Sequence, residues 1–229
     1  KHIQCGEGGI IVTDNDDLAI KCRLIRNHAE AVVEGMGFTD FRNMIGFNFR
    51  MTEIEAAIAR VQLKKLADLN LKRFENVHYF EEKFSQFSGI SMPKVMTNVT
   101  HAYYLHACKF DSDIIGVERD SFLNAVRAEL PSHKLREKEG VRLGGGYVKP
   151  LYLQPMFQKK LAYGSSGYPF SESNVNYDKG ICPVTERMHF SELFTHEFIL
   201  PSMQQSDIDD VAFAFEKVLI NKELLLKKP

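Results

Sequence analysis

The stretch Lys1-His2-Ile3-Gln4-Cys5-Gly6-Glu7-Gly8-Gly9, followed by Ile10-Ile11-Val12-Thr13, decides how the rest of this chain is read. Gly6, Gly8 and Gly9 permit positive φ and a close approach of backbone to a ligand. The residues after them predict a β-strand over Gly9–Thr13 that stops at the turn and cap formers Asp14-Asn15-Asp16-Asp17. A lysine beside such a turn can serve as an amine nucleophile toward a carbonyl. The same residues also describe a plain hairpin turn with a solvated lysine, and spacing alone does not choose between the two. An isolated strand is marginal in water, so the partners of Gly9–Thr13 are expected upstream of Lys1.

Working outward, a rough apolar face predicts a helix from Leu18 to Asn27, and the stretch 30–47, with Gly35, Gly37 and Gly46, reads as loop. Thr52-Glu53-Ile54-Glu55 is a capping box, which starts a long helix. Its apolar stripe runs through Ala57, Ile58, Val61, Leu66, Phe74, Val77, Phe80 and Phe84 to a stop at Ser88-Gly89. This helix is expected to be a spine between two domains, 1–50 and 51–229. Beyond it come a strand over Ala102–Phe110 and a helix over Asp120–Leu130 closed by Pro131. Residues 140–177, rich in Gly, Pro, Tyr and Ser, read as a long binding loop. A last helix is expected from a Ser206 cap with Asp209 at its third position, and the tail over 222–229 is expected to fray. The alternation is that of an α+β domain.

Composition narrows the function. Among 229 residues, Lys plus Arg number 29 and Asp plus Glu 30, so no net field draws polyanions and no nucleic-acid partner is expected. No apolar run reaches the ~20 residues needed to span a bilayer, so no membrane partner is expected and the protein reads as cytoplasmic. Cys5, Cys22, Cys108 and Cys182 lack metal-ligand spacing and fit free thiols. His101 and His106, an odd number of residues apart on the expected strand, fall on opposite faces with no carboxylate to complete a site, so no metal is expected.

Lys-x-x-x-x-Gly-Glu-Gly-Gly leading into an apolar strand resembles the signature of the DegT/DnrJ/StrS family of sugar aminotransferases, which depend on pyridoxal 5′-phosphate (PLP). A second segment, Gly46-Phe47-Asn48-Phe49-Arg50-Met51-Thr52-Glu53, resembles the family's Gly-x-Asn-x-Arg-Met, in the right order along the chain. The resemblance implies the α/β type I fold of PLP-dependent transferases. This chain would hold the end of the large domain, from the cofactor lysine onward, and the smaller C-terminal α+β domain. It implies that Lys1 forms the Schiff base with PLP and is both anchor and acid/base. It also implies a homodimer with shared active sites, in which Asn48 reaches the PLP phosphate of the neighbouring subunit and Arg50 lies in the same shell. Arg26-Asn27-His28-Ala29 is a looser match, with Ala29 where the family segment usually has Gly, which weighs against a tight turn after His28.

Gly144-Gly145-Gly146-Tyr147-Val148-Lys149-Pro150-Leu151-Tyr152 and Cys182-Pro183-Val184-Thr185-Glu186-Arg187 resemble a branch that aminates inososes or sugars from glutamine. Tyr147, Lys149 and Tyr152 can there contact substrate hydroxyls or a phosphate, or else the aromatics pack the domain and Lys149 is solvated. The implied function is transfer of an amino group from glutamate or glutamine to a keto sugar, nucleotide-linked, or to a keto-cyclitol. Sugar dehydratases related to the family carry His in place of the lysine, and Lys1 argues against that reading. A non-catalytic dimerisation module is the other alternative.

Overall fold

The computed structural model describes residues 1–30, 44–131 and 143–226. Gly35, Gly37, Gly140 and the last residues of the tail lie outside this description. By its contacts the chain packs as two units, Lys1–Leu69 and Asn70–Pro229. In the first, Met51 and the start of its helix lie against the glycine-dense turn near the N-terminus.

In the first unit, helix α1 (Asp16–Arg26) starts where Asn15 accepts the Leu18 amide at 3.0 Å, with Asp16 and Asp17 in its first turn and Arg23 and Arg26 in its last. Both charge placements oppose the helix dipole. The tight turn that Ala29 weighed against forms nonetheless. His28 (φ 61°) and Ala29 (φ 56°) are both left-handed, and the Ala29 amide closes onto Leu24 O at 2.8 Å. The turn is held from the other side by a backbone bridge between Asn27 and Asn48, with Phe47 N donating to Ile25 O at 2.7 Å. This packing requires Gly46, where a Cβ would lie 2.0 Å from Ala29 N.

Helix α2 (Glu53–Leu63) begins at the expected capping box: Thr52 Oγ1 accepts the Glu55 amide at 3.2 Å and the Glu55 carboxylate accepts the Thr52 amide at 3.0 Å. The single long helix expected from here is two helices. Lys65 N reaches back to Gln62 O, a tighter turn than the α-helix, and α3 (Leu66–Phe84) follows. The strand expected over Gly9–Thr13 has no ladder among the described residues, and Ile10 and Val12 are 77% and 88% exposed. No other strand among the described residues of the first unit offers it backbone partners.

The second unit is built on an antiparallel sheet of β1 (Ile90–Ser91), β2 (His106–Phe110), β3 (Leu143–Gly145) and β4 (Leu193–His196), in the order β1-β2-β4-β3. β2 alternates strictly, with His106, Cys108 and Phe110 buried. It is shorter than expected because Tyr103 takes a left-handed φ of 51°, which no strand accommodates. The short helix α4 (Ser112–Ile115) and then α5 (Arg119–Glu129) follow, the long loop contains α6 (Pro155–Gln158), and α7 (Pro183–Arg187) comes after it. α8 (Gln205–Ile220) starts earlier than expected: the Asp207 carboxylate takes the Gln204 amide at 2.8 Å, so Gln204 is the cap instead of Ser206. Asp209 bonds Tyr79 and Lys83 on α3 at 2.9 and 2.8 Å. The core joins α3, α5, α8 and the sheet through fully buried Phe80, Phe84, Phe110, Phe122, Phe194 and Phe215.

Candidate functional site

Within the first unit the two motif segments meet. Gly6 takes φ 94°, and a Cβ on Gly8 would lie 3.0 Å from Met51 Cε, so the glycine-dense turn rests on the start of the capped helix. Glu55 borders the same contact, its Oε1 3.7 Å from where a Cβ on Gly6 would stand. Its carboxylate is held below its ordinary pKa chiefly by the Thr52 amide and hydroxyl, with a smaller contribution from the Glu7 backbone. One carboxylate therefore caps α2 and lies beside the turn that follows Lys1. Lys1, Asn48 and Arg50 are exposed, and the Arg50 guanidinium donates to Asn27 Oδ1 at 2.5 Å, which fixes the Asn48-Phe49-Arg50 segment to the end of α1.

In the second unit the three expected substrate residues part company. Tyr147 lines a cavity of about 300 Å³ with Val148, Pro150, Thr185, Met188 and His189. Tyr152 turns to Glu186, a buried carboxylate that accepts both the phenol and the Gly180 amide. Burial and the Glu186 charge push the Tyr152 phenol up to about 12, so it stays a donor and pins the loop to α7. Lys149 is exposed and does not line the cavity.

His189 was not singled out by sequence reasoning, although the motif Cys182–Arg187 stops two residues before it. It sits on a π-helical turn, Met188–Glu192. Burial first, then the Arg119 charge, lowers its pKa, so the ring is neutral at pH 7. Arg119, 4% exposed, donates to the carbonyls of His189 (2.9 Å), Leu193 (2.8 Å), Phe190 (3.2 Å) and Met188 (3.4 Å), and its Nε meets Asp120 at 2.8 Å.

A second unexpected feature is a buried histidine pair. His106 and His196 face each other across β2 and β4, with Nδ1 of His106 and Nε2 of His196 2.9 Å apart. The Phe198 amide donates to His196 Nδ1 at 3.2 Å, which leaves the proton on Nε2 to donate to His106 Nδ1. His106 Nε2 then donates to Glu81 at 3.2 Å. Cys108 joins them, all ligand atoms lying within 4.8 Å of one another. The lone pairs a metal would need are occupied by these hydrogen bonds, so the group reads as a structural network. His101 lies outside the strand, its Nδ1 accepting the Tyr103 amide at 2.8 Å.

Among the described residues, no helix is long and apolar enough to cross a membrane. The chain is 26% identical over 226 residues to the uncharacterized protein MJ1066 of Methanocaldococcus jannaschii and 25% identical over 227 residues to the spore coat polysaccharide biosynthesis protein SpsC of Bacillus subtilis. Each match covers 96% of this chain and 51% of the relative, so the chain spans about half the length of these curated proteins. Among solved structures it is similar to DesI in the presence of its TDP-sugar product, with a TM-score of 0.69 at 19% identity, covering 98% of this chain and 48% of that one. The fold is α/β, the type I fold of PLP-dependent transferases. With the family's match running over residues 1–213, the chain belongs to the DegT/DnrJ/EryC1/StrS aminotransferase family.

Proposed function

We propose that the full-length protein is a PLP-dependent aminotransferase that moves an amino group from glutamate or glutamine to a keto sugar, nucleotide-linked, or to a keto-cyclitol. The observation that carries this reading is the meeting of the two motif segments in one unit, where Met51 and Glu55 lie against the turn after Lys1. The residues fit the cofactor in kind. Lys1 offers a primary amine for an aldehyde carbon, and the exposed Asn48 and Arg50 offer N–H donors of the kind that bind phosphate. When bound, PLP supplies a sink for the electrons of the bond broken at the donor's Cα. Lys1 Nζ would hold the cofactor through a carbon–nitrogen bond and, as a free amine, would move the proton at the donor's Cα. The similarity to DesI, whose structure was solved with a TDP-sugar product, and to SpsC, named for polysaccharide synthesis, supports a sugar acceptor.

Shared sites in a homodimer belong to the same proposal. α2 buries none of its residues, and Ile54, Ile58 and Val61 stand exposed along it, an apolar surface of the kind that pairs subunits. Asn48 precedes this helix and would serve the phosphate held near the partner's lysine.

The experiment is turnover and complementation with the full-length protein. Lys1→Ala is expected to abolish amino transfer with an unchanged circular dichroism spectrum, and mixing it with inactive Asn48→Ala should regenerate hybrid dimers with one intact site. Substantial turnover by Lys1→Ala sinks the lysine assignment, and a mixture as inactive as its components sinks the shared site.

A further inference from the structure

We propose that Asn27, which closes α1, is a positioning residue for Arg50, holding its guanidinium beside Asn48 in readiness for the phosphate group of the cofactor. This rests on the aminotransferase reading and deepens it. The placement comes from the backbone. Phe47 N donates to Ile25 O at 2.7 Å, His28 N to Phe47 O at 2.9 Å and Phe49 N to Arg26 O at 3.0 Å, so the strip 47–49 is pinned along the end of α1 with Asn27 and Asn48 directly opposed. Opposed residues of an antiparallel pair put their side chains on the same side. Alternate residues of an extended strip share a face. The Phe47 and Phe49 rings stack at 4.8 Å on one face, which assigns Asn48 and Arg50 to the other, beside Asn27.

The side chains agree. Arg50 donates to Asn27 Oδ1 across that face. A guanidinium carries five N–H donors and this bond uses one, so the rest of the fork can serve an anion. An exposed arginine left to itself spreads over many rotamers, and each anion it binds must meet the cost of fixing it. Asn27 fixes it beforehand. The choice of an amide matters. A carboxylate at this place would tie the guanidinium as firmly but would cancel its charge, whereas the Asn27 oxygen orients Arg50 and leaves that charge for the phosphate. The fold itself uses the backbone of Asn27: its N–H caps α1 on Leu24 O, and its φ of −125° carries no left-handed penalty for another residue.

The test is the affinity of the full-length protein, stripped of cofactor, for PLP and for pyridoxal, which has the same aldehyde but no phosphate, both read by absorbance. Asn27→Ala should weaken PLP about fivefold, the scale of one lost hydrogen bond, and leave pyridoxal within about twofold of wild type. Arg50→Ala should weaken PLP by more, about twentyfold. The double variant should be no weaker than Arg50→Ala, because Asn27 acts through Arg50. Asn27→Asp should weaken PLP at least as much as Asn27→Ala, since its charge opposes the phosphate. Hydrogen exchange at the amides of Phe47 and Phe49 should stay as in wild type in Asn27→Ala. Equal losses for PLP and pyridoxal, additive losses in the double variant, a neutral Asn27→Asp or faster exchange at those amides overturns the proposal, as does PLP bound no more tightly than pyridoxal. If the unaltered protein binds neither compound, the aminotransferase reading falls. The strip is then judged by phosphorus NMR with inorganic phosphate, whose line broadening should vanish in Arg50→Ala and diminish in Asn27→Ala; no broadening with the unaltered protein overturns the strip as well.

Discussion

The two units hold their residues by different means. In Asn70–Pro229 a closed core of aromatic side chains joins three helices to a sheet, with Phe80 and Phe84 stacked at 3.9 Å and Phe215 edge-on to Phe84 at 4.9 Å. In Lys1–Leu69 Leu24 is the one apolar side chain buried among the described residues, while Ile10, Ile11, Val12 and Ile54 stand at least three-quarters exposed. The first unit is organised by backbone bridges and one carboxylate, the second by burial. Removing apolar surface from water is what chiefly drives folding, so the second unit carries the means to stand by itself and the first presents apolar surface for other protein to cover. The residues proposed for cofactor chemistry, Lys1, Asn48 and Arg50, lie on the open unit, and the cavity lined by Tyr147 and His189 lies on the closed one.

The sharpest way to break this comparison is Phe84→Ala, which should cost the second unit about 3–5 kcal/mol in urea unfolding, because the deleted ring leaves a cavity among Phe80, Phe87 and Phe215. A loss under ~1 kcal/mol would show that this core is not what holds the unit. Next in size is Gly46→Ala, whose Cβ collides with the His28-Ala29 backbone. It should destabilise the bridge between Asn27 and Asn48 by at least ~1–3 kcal/mol, the usual result of forcing an extra carbon into a packed contact. Faster hydrogen exchange at the amides of Phe47 and Phe49, with the second unit's amides unchanged, is the measurement.

The histidine pair gives a smaller effect confined to the second unit. Burial and the neighbouring His106 depress the His196 pKa well below 6.5 in the folded state. The unfolded chain therefore binds the extra proton first, and stability falls as pH drops below about 6.5, by on the order of 1 kcal/mol at pH 5.5 from this one group. The groups facing it are His106, Cys108 and, through His106, Glu81. Comparing urea midpoints at pH 7.5 and 5.5 checks this, and His196→Phe should flatten the difference. Smallest is Ala29→Gly. Left-handed alanine costs about 1 kcal/mol or more, partly offset by the freedom glycine adds to the unfolded chain, so the first unit should gain roughly 0.5–1 kcal/mol. Unchanged hydrogen-exchange protection at the amides of Phe47 and Phe49 would show that the turn carries no strain.

Local chemistry was legible in the sequence. The box at Thr52–Glu55, the Asn15 region as a helix start and the helix ending at Pro131 all follow from neighbours within four residues. What escaped was set by distance along the chain. His106 and His196 are 90 residues apart and become partners only when β2 and β4 pair, and Glu81 reaches them only from the facing helix. The same holds for Arg119, whose carbonyl partners are some 70 residues away. The strand at Gly9–Thr13 was expected from its apolar run, but a ladder needs a neighbour, and none is present among the described residues. Of the expected substrate residues, Tyr147 lines the cavity because it follows Gly146, while Tyr152 is drawn away by the Glu186 carboxylate.

The central claim, that Lys1 is the amine joined to the cofactor, is tested most directly by borohydride reduction of the full-length protein purified with PLP. The account predicts loss of the yellow colour and a stable mass addition that peptide mapping places on Lys1 alone, absent from Lys1→Ala. A label on another lysine, or reduction that leaves Lys1 unmodified, would contradict it.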